Sequence, residues 1–433
     1  MKKIIALIMA ITLALALIAC ASDTPPPPAE VRATDPASTA EGEAEHEGGS
    51  DATTTVGAVG AAHTLRVWAA QDDQALKREL AEAFIAANPQ YNVNFEFGVV
   101  GEPDAFARFA EDPLAAADVF AFPNDQLRDF VRAGGLYEVQ RNKDDIVSRN
   151  GDGSIESATL DGVLWAYPKT ADNGYFLYYD KSVLSAEDVQ SLDRILEVSH
   201  EAGKRFLMHL DDNAWYLASF FLGAGNTITI DGGGGQIVDF NNATGLAVAR
   251  AVQALTSHPA YISGDDAILT GGFGGSIAAG VSGIWNAEAL TSIAGENLGA
   301  AKLPTFTLDG QQVQMGSFGG YKLVGINAMI DNPEKVVIAM DFADFITNEQ
   351  SQLRRFELRA MGPSNINAAA NPAVMENIAL AALAAQGAYA TSQNDVLGNY
   401  WGPAGALGTA LVNNDPTDLQ TLLDNMVAQV QSG

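Results

Sequence analysis

An α/β fold, with a mostly parallel sheet and helices on both faces, is what this sequence predicts, and three observations carry it. From Leu65 the apolar residues alternate between the two-residue spacing of strands and the four-residue spacing of helices, in the order β-α-β-α-β. The same order resumes from Tyr175. The body from Thr64 to Gly433 is too long for one ordinary core and fits two domains of ~150 residues or somewhat more.

Each element has its own justification. Leu65-Arg66-Val67-Trp68-Ala69 reads as a buried strand, and Leu76, Leu80 and Phe84 mark one face of a helix that ends near Asn88-Pro89. Val93, Phe95, Phe97 and Val99 alternate as in a half-buried strand. Ala117 to Phe122 is a short apolar strand, and the helix from about Asp125 to Ala133 stops at Gly134-Gly135. In the second unit Tyr175 to Tyr179 is a strand. Ser185-Ala186-Glu187-Asp188 forms a capping box ahead of a helix carrying Val189, Leu192, Ile195 and Leu196, which stops at Gly203. Phe206 to Leu210 is strand-like and Trp215 to Ala224 helical. Later come a strand at Lys322 to Ile326, a helix after Asn332-Pro333 and a final helix around Leu419, Leu423 and Val430. No repeat of fixed period is present.

Ahead of the body stands Met1-Lys2-Lys3, followed by the apolar run Ile4 to Ala19 and the single cysteine, Cys20. A basic start, a short apolar stretch and a small residue before a processing point make a secretory signal; the run is shorter than a membrane span and has no basic flank behind it. From Ala21 to His63 the composition is Ala, Pro, Glu, Thr and Gly, with four prolines at Pro25 to Pro28 and 8 acidic residues against 1 basic. Such a segment cannot bury a core and reads as a disordered acidic tether. With a net charge of −29 for the chain, nucleic acid and anionic membrane surfaces are poor partners. One cysteine excludes a disulfide framework.

Catalytic signals are scarce. His46, His63, His200, His209 and His258 show no metal-ligand spacing, and no Gly-x-Ser-x-Gly elbow occurs. Gly232 to Gly235 lacks the Lys-Ser or Lys-Thr of a phosphate cradle and reads as a loop. Asn150 to Glu156 alternates oxygen-bearing residues but lacks the glycine and glutamate of a calcium loop, so it reads as a polar turn. No metal, cofactor or enzymatic activity is expected.

What the body does offer is aromatic rings beside carboxylates and amides at element boundaries. Trp68 precedes Gln71-Asp72-Asp73; Phe122 precedes Asn124-Asp125-Gln126; Asp172-Asn173 precede Tyr175; Asp211-Asp212-Asn213 precede Trp215-Tyr216; Trp285 precedes Asn286; and Tyr400 adjoins Trp401. A sugar ring calls for this mixture, because its C–H face lies on an aromatic ring while its hydroxyls bond to carboxylates and amides. In parallel sheets the ligand crevice lies beyond the carboxyl ends of the strands, where these clusters fall.

Leu65-Arg66-Val67-Trp68, Ala116-Ala117-Asp118-Val119-Phe120, Ala133-Gly134-Gly135-Leu136, Leu164-Trp165-Ala166-Tyr167-Pro168, Tyr179-Asp180-Lys181, Gly283-Ile284-Trp285, Lys302-Leu303-Pro304-Thr305-Phe306 and Gly320-Tyr321-Lys322-Leu323-Val324-Gly325-Ile326-Asn327 occur in this order. Together they resemble the carbohydrate-binding lipoproteins of bacterial ABC importers, extracellular solute-binding proteins of family 1 in the maltose and maltodextrin-binding group. Leu17-Ile18-Ala19-Cys20 likewise resembles the lipoprotein box, which implies lipid on Cys20 and an outer-face membrane anchor.

The resemblance implies a two-lobed, type II periplasmic-binding-protein fold with the ligand cleft between lobes: residues 64–172 plus 322–362 in one, 173–321 plus 363–433 in the other. It also implies a monomer that passes oligosaccharide to ABC permease subunits. By position Trp68, Asp72, Phe122, Asp125 and Gln126 would face the sugar from the first lobe. Asp172 or Asn173, Asp212, Trp215, Trp285, Asn286 and Tyr400 or Trp401 would face it from the second, while Trp165 stays in the core. Asp73, Gln126 and Phe122 replace a lysine, an arginine and a tryptophan of the maltose binders, which changes the sugar expected but not the class. An anchored glycoside hydrolase and a binder of a non-sugar solute on the same fold are the other two readings.

Overall fold

The structure, a computed structural model, describes residues 54–57 and 63–432. The stretch read as a secretory signal, Cys20 and most of the stretch read as a tether lie outside these residues. Thr54–Gly57 corrects one boundary. It is a strand paired antiparallel with Val93–Val99, so the chain joins the sheet before residue 63, where the exposed edge of Val93–Val99 offers unpaired backbone groups.

Among the described residues one sheet of eleven strands runs through both lobes. Its strands are β1 (Thr54–Gly57), β2 (His63–Ala69), β3 (Val93–Val99), β4 (Val119–Pro123), β5 (Tyr167–Asp180), β6 (Arg205–Leu207), β7 (Tyr261–Ile262), β8 (Ile277–Gly283), β9 (Leu298–Ala301), β10 (Ser317–Ile326) and β11 (Ala390–Ser392). They lie in the order β1-β3-β2-β4-β10-β5-β8-β6-β7, with β9 on β5 and β11 on β10. Pairing within each lobe is parallel where a helix returns the chain, as in β2 with β3 and β6 with β7 and β8.

The sheet is mixed rather than mostly parallel, because the two long strands β5 and β10 run antiparallel to each other and to every neighbour except β11, which lies parallel to β10. β5 pairs with β10 from Tyr167 to Gly174 and with β8 from Tyr175 to Tyr179; β10 pairs with β11 at Ser317–Gly319 and with β4 at Lys322–Ile326. These strands are where the chain passes between lobes. Apolar spacing specifies a strand and its buried face but not the direction of its partner, which is why the antiparallel centre was not legible. Gly320 sits at this crossing: a Cβ there would lie 2.5 Å from Asn124 Oδ1.

The helices follow their periodicity. In α1 (Gln74–Ala87), Leu76, Leu80 and Phe84 are buried. α2 (Ala214–Gly223) is capped by Asn213, whose side-chain oxygen accepts from the Tyr216 N–H at 3.1 Å. α3 (Pro333–Ile346) has Pro333 in its first turn and Asn332 as its cap. Ser185 and Asp188 do exchange bonds, Ser185 N to Asp188 Oδ2 at 2.9 Å and Asp188 N to Ser185 Oγ at 3.1 Å, but they close a 3-10 turn; the helix itself begins at Leu192 behind Ser191. Three further helices, α4 (Glu349–Arg359), α5 (Gly398–Val412) and α6 (Leu419–Ser432), complete the set that matters here.

Each lobe buries its own core. One gathers Leu65, Val67, Phe84, Phe95, Phe120, Phe122, Phe130, Leu323 and Phe342, with Phe122 and Phe130 rings 4.7 Å apart. The other gathers Tyr175, Leu177, Phe206, Leu217, Phe221, Phe240, Tyr400, Leu407 and Leu423, and a smaller cluster around Phe176, Tyr178 and Leu290 backs it. Each fully buried side chain of this size contributes about 1.5–3 kcal/mol, so either lobe has the means to hold its shape independently.

Candidate functional site

A cleft of about 480 Å³ lies where the carboxyl ends of strands from both lobes meet. Pro103 enters from the 3-10 turn after β3, Pro123 from the end of β4, and Asp125 and Gln126 from the turn that follows it. Asn173 comes from the middle of β5. Opposite them stand Trp215 in the first turn of α2, Trp285 in the 3-10 turn after β8, Gln393 after β11 and Trp401 in the first turn of α5.

The three tryptophans are half-buried, and two of them, Trp215 and Trp285, are fixed by their indole N–H groups. Trp215 Nε1 donates to Gln393 Oε1 at 3.1 Å and Trp285 Nε1 to Asp266 Oδ2 at 2.7 Å. The two rings lie 5.9 Å apart at 33°. Trp401 packs edge-on against Phe318 at 5.7 Å. A second cavity of about 230 Å³ shares Trp215 and Trp285 and adds His209 and Asp266, so the aromatic wall has space on more than one side.

Polar groups face these rings. Asp125 is 8% exposed, and its Oδ1 is buried without a hydrogen-bond partner. Burial pushes its carboxyl up to about 7, although its own backbone N–H and the Gln393 amide favour the charged form. Gln126 is committed, its amide donating to Pro103 O at 2.5 Å and accepting from the Phe106 N–H at 3.1 Å. Asn173 Nδ2 donates to Gln393 Oε1 at 3.3 Å. A water-shielded carboxyl and amides opposite flat apolar rings suit a ligand with many hydroxyls and nonpolar faces.

Below the rim lies a buried charge cluster. Lys169 pairs with Asp73 at 3.2 Å and with Glu102, and Lys322 pairs with Glu102 at 3.1 Å. Burial alone would raise Glu102, but the two lysines outweigh it and hold its carboxyl below the usual range. Asp73, which stands where the maltose binders carry a lysine, is thus an internal partner.

Several expected site residues lie elsewhere. Phe122 is wholly buried, because β4 is covered on both faces, and Tyr400 is wholly buried in the other core. Between Tyr400 and Trp401 it is Trp401 that borders the cleft. Trp68 packs against Phe120 at 5.7 Å on the flank of its core. Asp72 is exposed and paired with Arg359. Asp212 adopts a left-handed backbone and its N–H donates to Thr409 Oγ1, which turns it toward α5. Asn286 is buried and donates to Ser282 Oγ. Asp172 accepts from the Gly362 N–H at 2.6 Å and lines a separate cavity with Tyr321 and Leu383, so Asn173 is the member of that pair at the cleft. Trp165 is only partly buried, resting on its core with its indole N–H on Leu160 O.

Gln393, Pro103, Pro123, Asp266 and His209 were missed. All but Pro123, which follows Phe122, stand apart from any aromatic ring in the sequence; the turn signals around Pro103 (Gly101 to Asp104), Asp266 (Gly264-Asp265) and Gln393 (Ser392 to Asp395) mark loops but not a ligand. Among the described residues no cluster of three His, Cys, Asp or Glu is placed to hold a metal ion, and no helix is long and apolar enough to cross a membrane.

A family model described as bacterial extracellular solute-binding protein matches residues 79–382. The galactooligosaccharide-binding protein of Bacillus subtilis (strain 168) is 28% identical over 362 residues, 78% of this chain and 82% of that one. A solved structure with acarbose is 30% identical and superimposes with a TM-score of 0.76 over 85% of this chain and 98% of that one. The maltodextrin-binding protein of L. casei BL23 without ligand gives 0.72 at 24% identity, over 86% and 99%.

Proposed function

The chain belongs to the bacterial extracellular solute-binding protein family, and on that premise we propose that it captures an oligosaccharide between its lobes and delivers it to the transmembrane subunits of an ABC importer. The sugar is of the maltodextrin or galactooligosaccharide kind, as the names of its relatives suggest. One observation carries the reading: Trp215, Trp285 and Trp401 surround the same cleft as Asp125, Gln126, Asn173 and Gln393. Rings that are half-buried and, in Trp215 and Trp285, held by their indole N–H groups keep a flat face for a sugar, and the free oxygen of Asp125 takes a hydroxyl.

The lobes in this reading are residues 64–172 plus 322–362, joined by the edge strand Thr54–Gly57, and 173–321 plus 363–433. The exchange of partners along β5 and β10 supports the first two boundaries. The protein acts as a monomer held at the outer face of the membrane by lipid on Cys20.

A thermal-shift screen against maltodextrins, cyclodextrins, galactooligosaccharides and xylans tests the function. A ligand present at 100 times its Kd stabilises the folded state by about 2.7 kcal/mol, so the true sugar class raises the melting temperature and the others leave it unchanged. No shift with any oligosaccharide would remove the reading.

A further inference from the structure

We propose that Lys322 is a positioning residue for Trp285, and that with Arg359 it forms a two-cation clasp between the lobes. The Lys322 ammonium lies 5.6 Å from the centre of the Trp285 ring, within reach of a cation–π contact, while its other partner is Glu102 Oε2 at 3.1 Å. Glu102 follows β3 in one lobe and Trp285 follows β8 in the other. One buried side chain therefore joins an anion of the first lobe to an aromatic wall of the second.

Arg359 repeats the arrangement at Glu288, three residues beyond Trp285. It is anchored on Asp72 at 3.3 Å and Asp73 at 3.4 Å, and it reaches Glu288 at 3.8 Å. Trp285 and Glu288 sit on consecutive turns behind β8, so the two cations grip the same short segment. Trp285 is thus held at its edge by Asp266 and near its face by Lys322, and its position depends on the lobes being together. Because Lys322 is 8% exposed, its contact is little screened by salt; Glu288, with a side chain 65% exposed, makes the weaker arm.

This inference rests on the proposed function only for its binding arm. The experiment compares wild type with Lys322→Met, Lys322→Arg and Glu288→Gln, using maltotriose as the first probe and the best ligand of the screen as the second. Affinity, release rate and ligand-free radius of gyration are measured. Lys322→Met should bind about fivefold more weakly through faster release, with a larger ligand-free radius of gyration. Lys322→Arg, which keeps the charge over the ring, should restore both, and Glu288→Gln should show about a twofold effect in the same direction. Wild-type affinity and radius in Lys322→Met, or Lys322→Arg as defective as Lys322→Met, would overturn the clasp. If wild type binds no sugar the proposed function fails, yet the ligand-free radii still decide the clasp. Should Lys322→Met not fold, Glu288→Gln decides it, since that change leaves the buried cluster intact.

Discussion

The indole N–H of Trp215 donates to Gln393 Oε1 at 3.1 Å, across 178 residues of chain, and the same oxygen takes the Asn173 amide at 3.3 Å. One acceptor therefore orients the ring on α2 and ties it to β5, the strand that passes between lobes. The Gln393 amide also favours the charged form of Asp125, which stands in the opposite lobe. A wall residue, a crossing strand and a carboxyl are coupled through one side chain.

Replacing Gln393 with leucine should free the Trp215 indole and leave the buried Asn173 amide short of an acceptor. Sugar affinity should fall about fivefold or more, and the tryptophan emission should shift. Calorimetry with fluorescence checks this; unchanged affinity would show that Trp215 is held by packing alone.

Trp215→Ala and Trp285→Ala should each weaken binding about tenfold or more, because a sugar face loses its ring. Each is half-buried, so the stability cost should stay below the ~3–5 kcal/mol of a fully buried aromatic, a cost that Phe122→Ala should incur in full. Melts beside titrations separate the two effects.

Asp125 gives a pH signature. Its folded pKa of about 7 stands above the ordinary value of 3.8, so the unfolded chain releases this proton first as pH rises. Its contribution to stability is complete below about 3.8, declines as pH rises towards 7, and is lost above it. Asp125→Asn should therefore melt about 2–5 °C above wild type at pH 8, with the difference vanishing near pH 4. A constant offset at all pH values would contradict the assignment.

Lys169→Met leaves Asp73 and Glu102 buried with less counter-charge and should cost about 3–5 kcal/mol in denaturant melts at pH 7. Burial works against ionisation of both acids and Lys169 works for it, leaving both below their ordinary values of 3.8 and 4.5. Their stabilising contribution is present above those values and lost as pH falls below them, so the variant should show a smaller loss towards acid than wild type does.

Cys20→Ala should abolish lipid attachment and leave the precursor uncleaved, as followed by metabolic labelling and gel mobility. Normal maturation together with membrane retention of that variant would refute the anchor.

The sequence by itself determined the elements whose burial is local and periodic: the Leu65–Val67 strand, the Leu76–Leu80–Phe84 helix face and the Asn332-Pro333 helix start. It also marked Trp215, Trp285 and Trp401, since an aromatic beside a polar group at an element end is visible without a fold. Phe122 and Tyr400 carried the same local signature and are nonetheless core, because which side of a strand or helix meets the cleft depends on what the rest of the chain lays against it. Gln393 and Asp266 acquire their roles only by meeting rings 178 and 19 residues away. Tertiary structure alone decided the antiparallel centre of the sheet, the pairing of Asp73 with Lys169 and the reach of Lys322 to Trp285, since each joins groups whose separation along the chain says nothing of their distance in space.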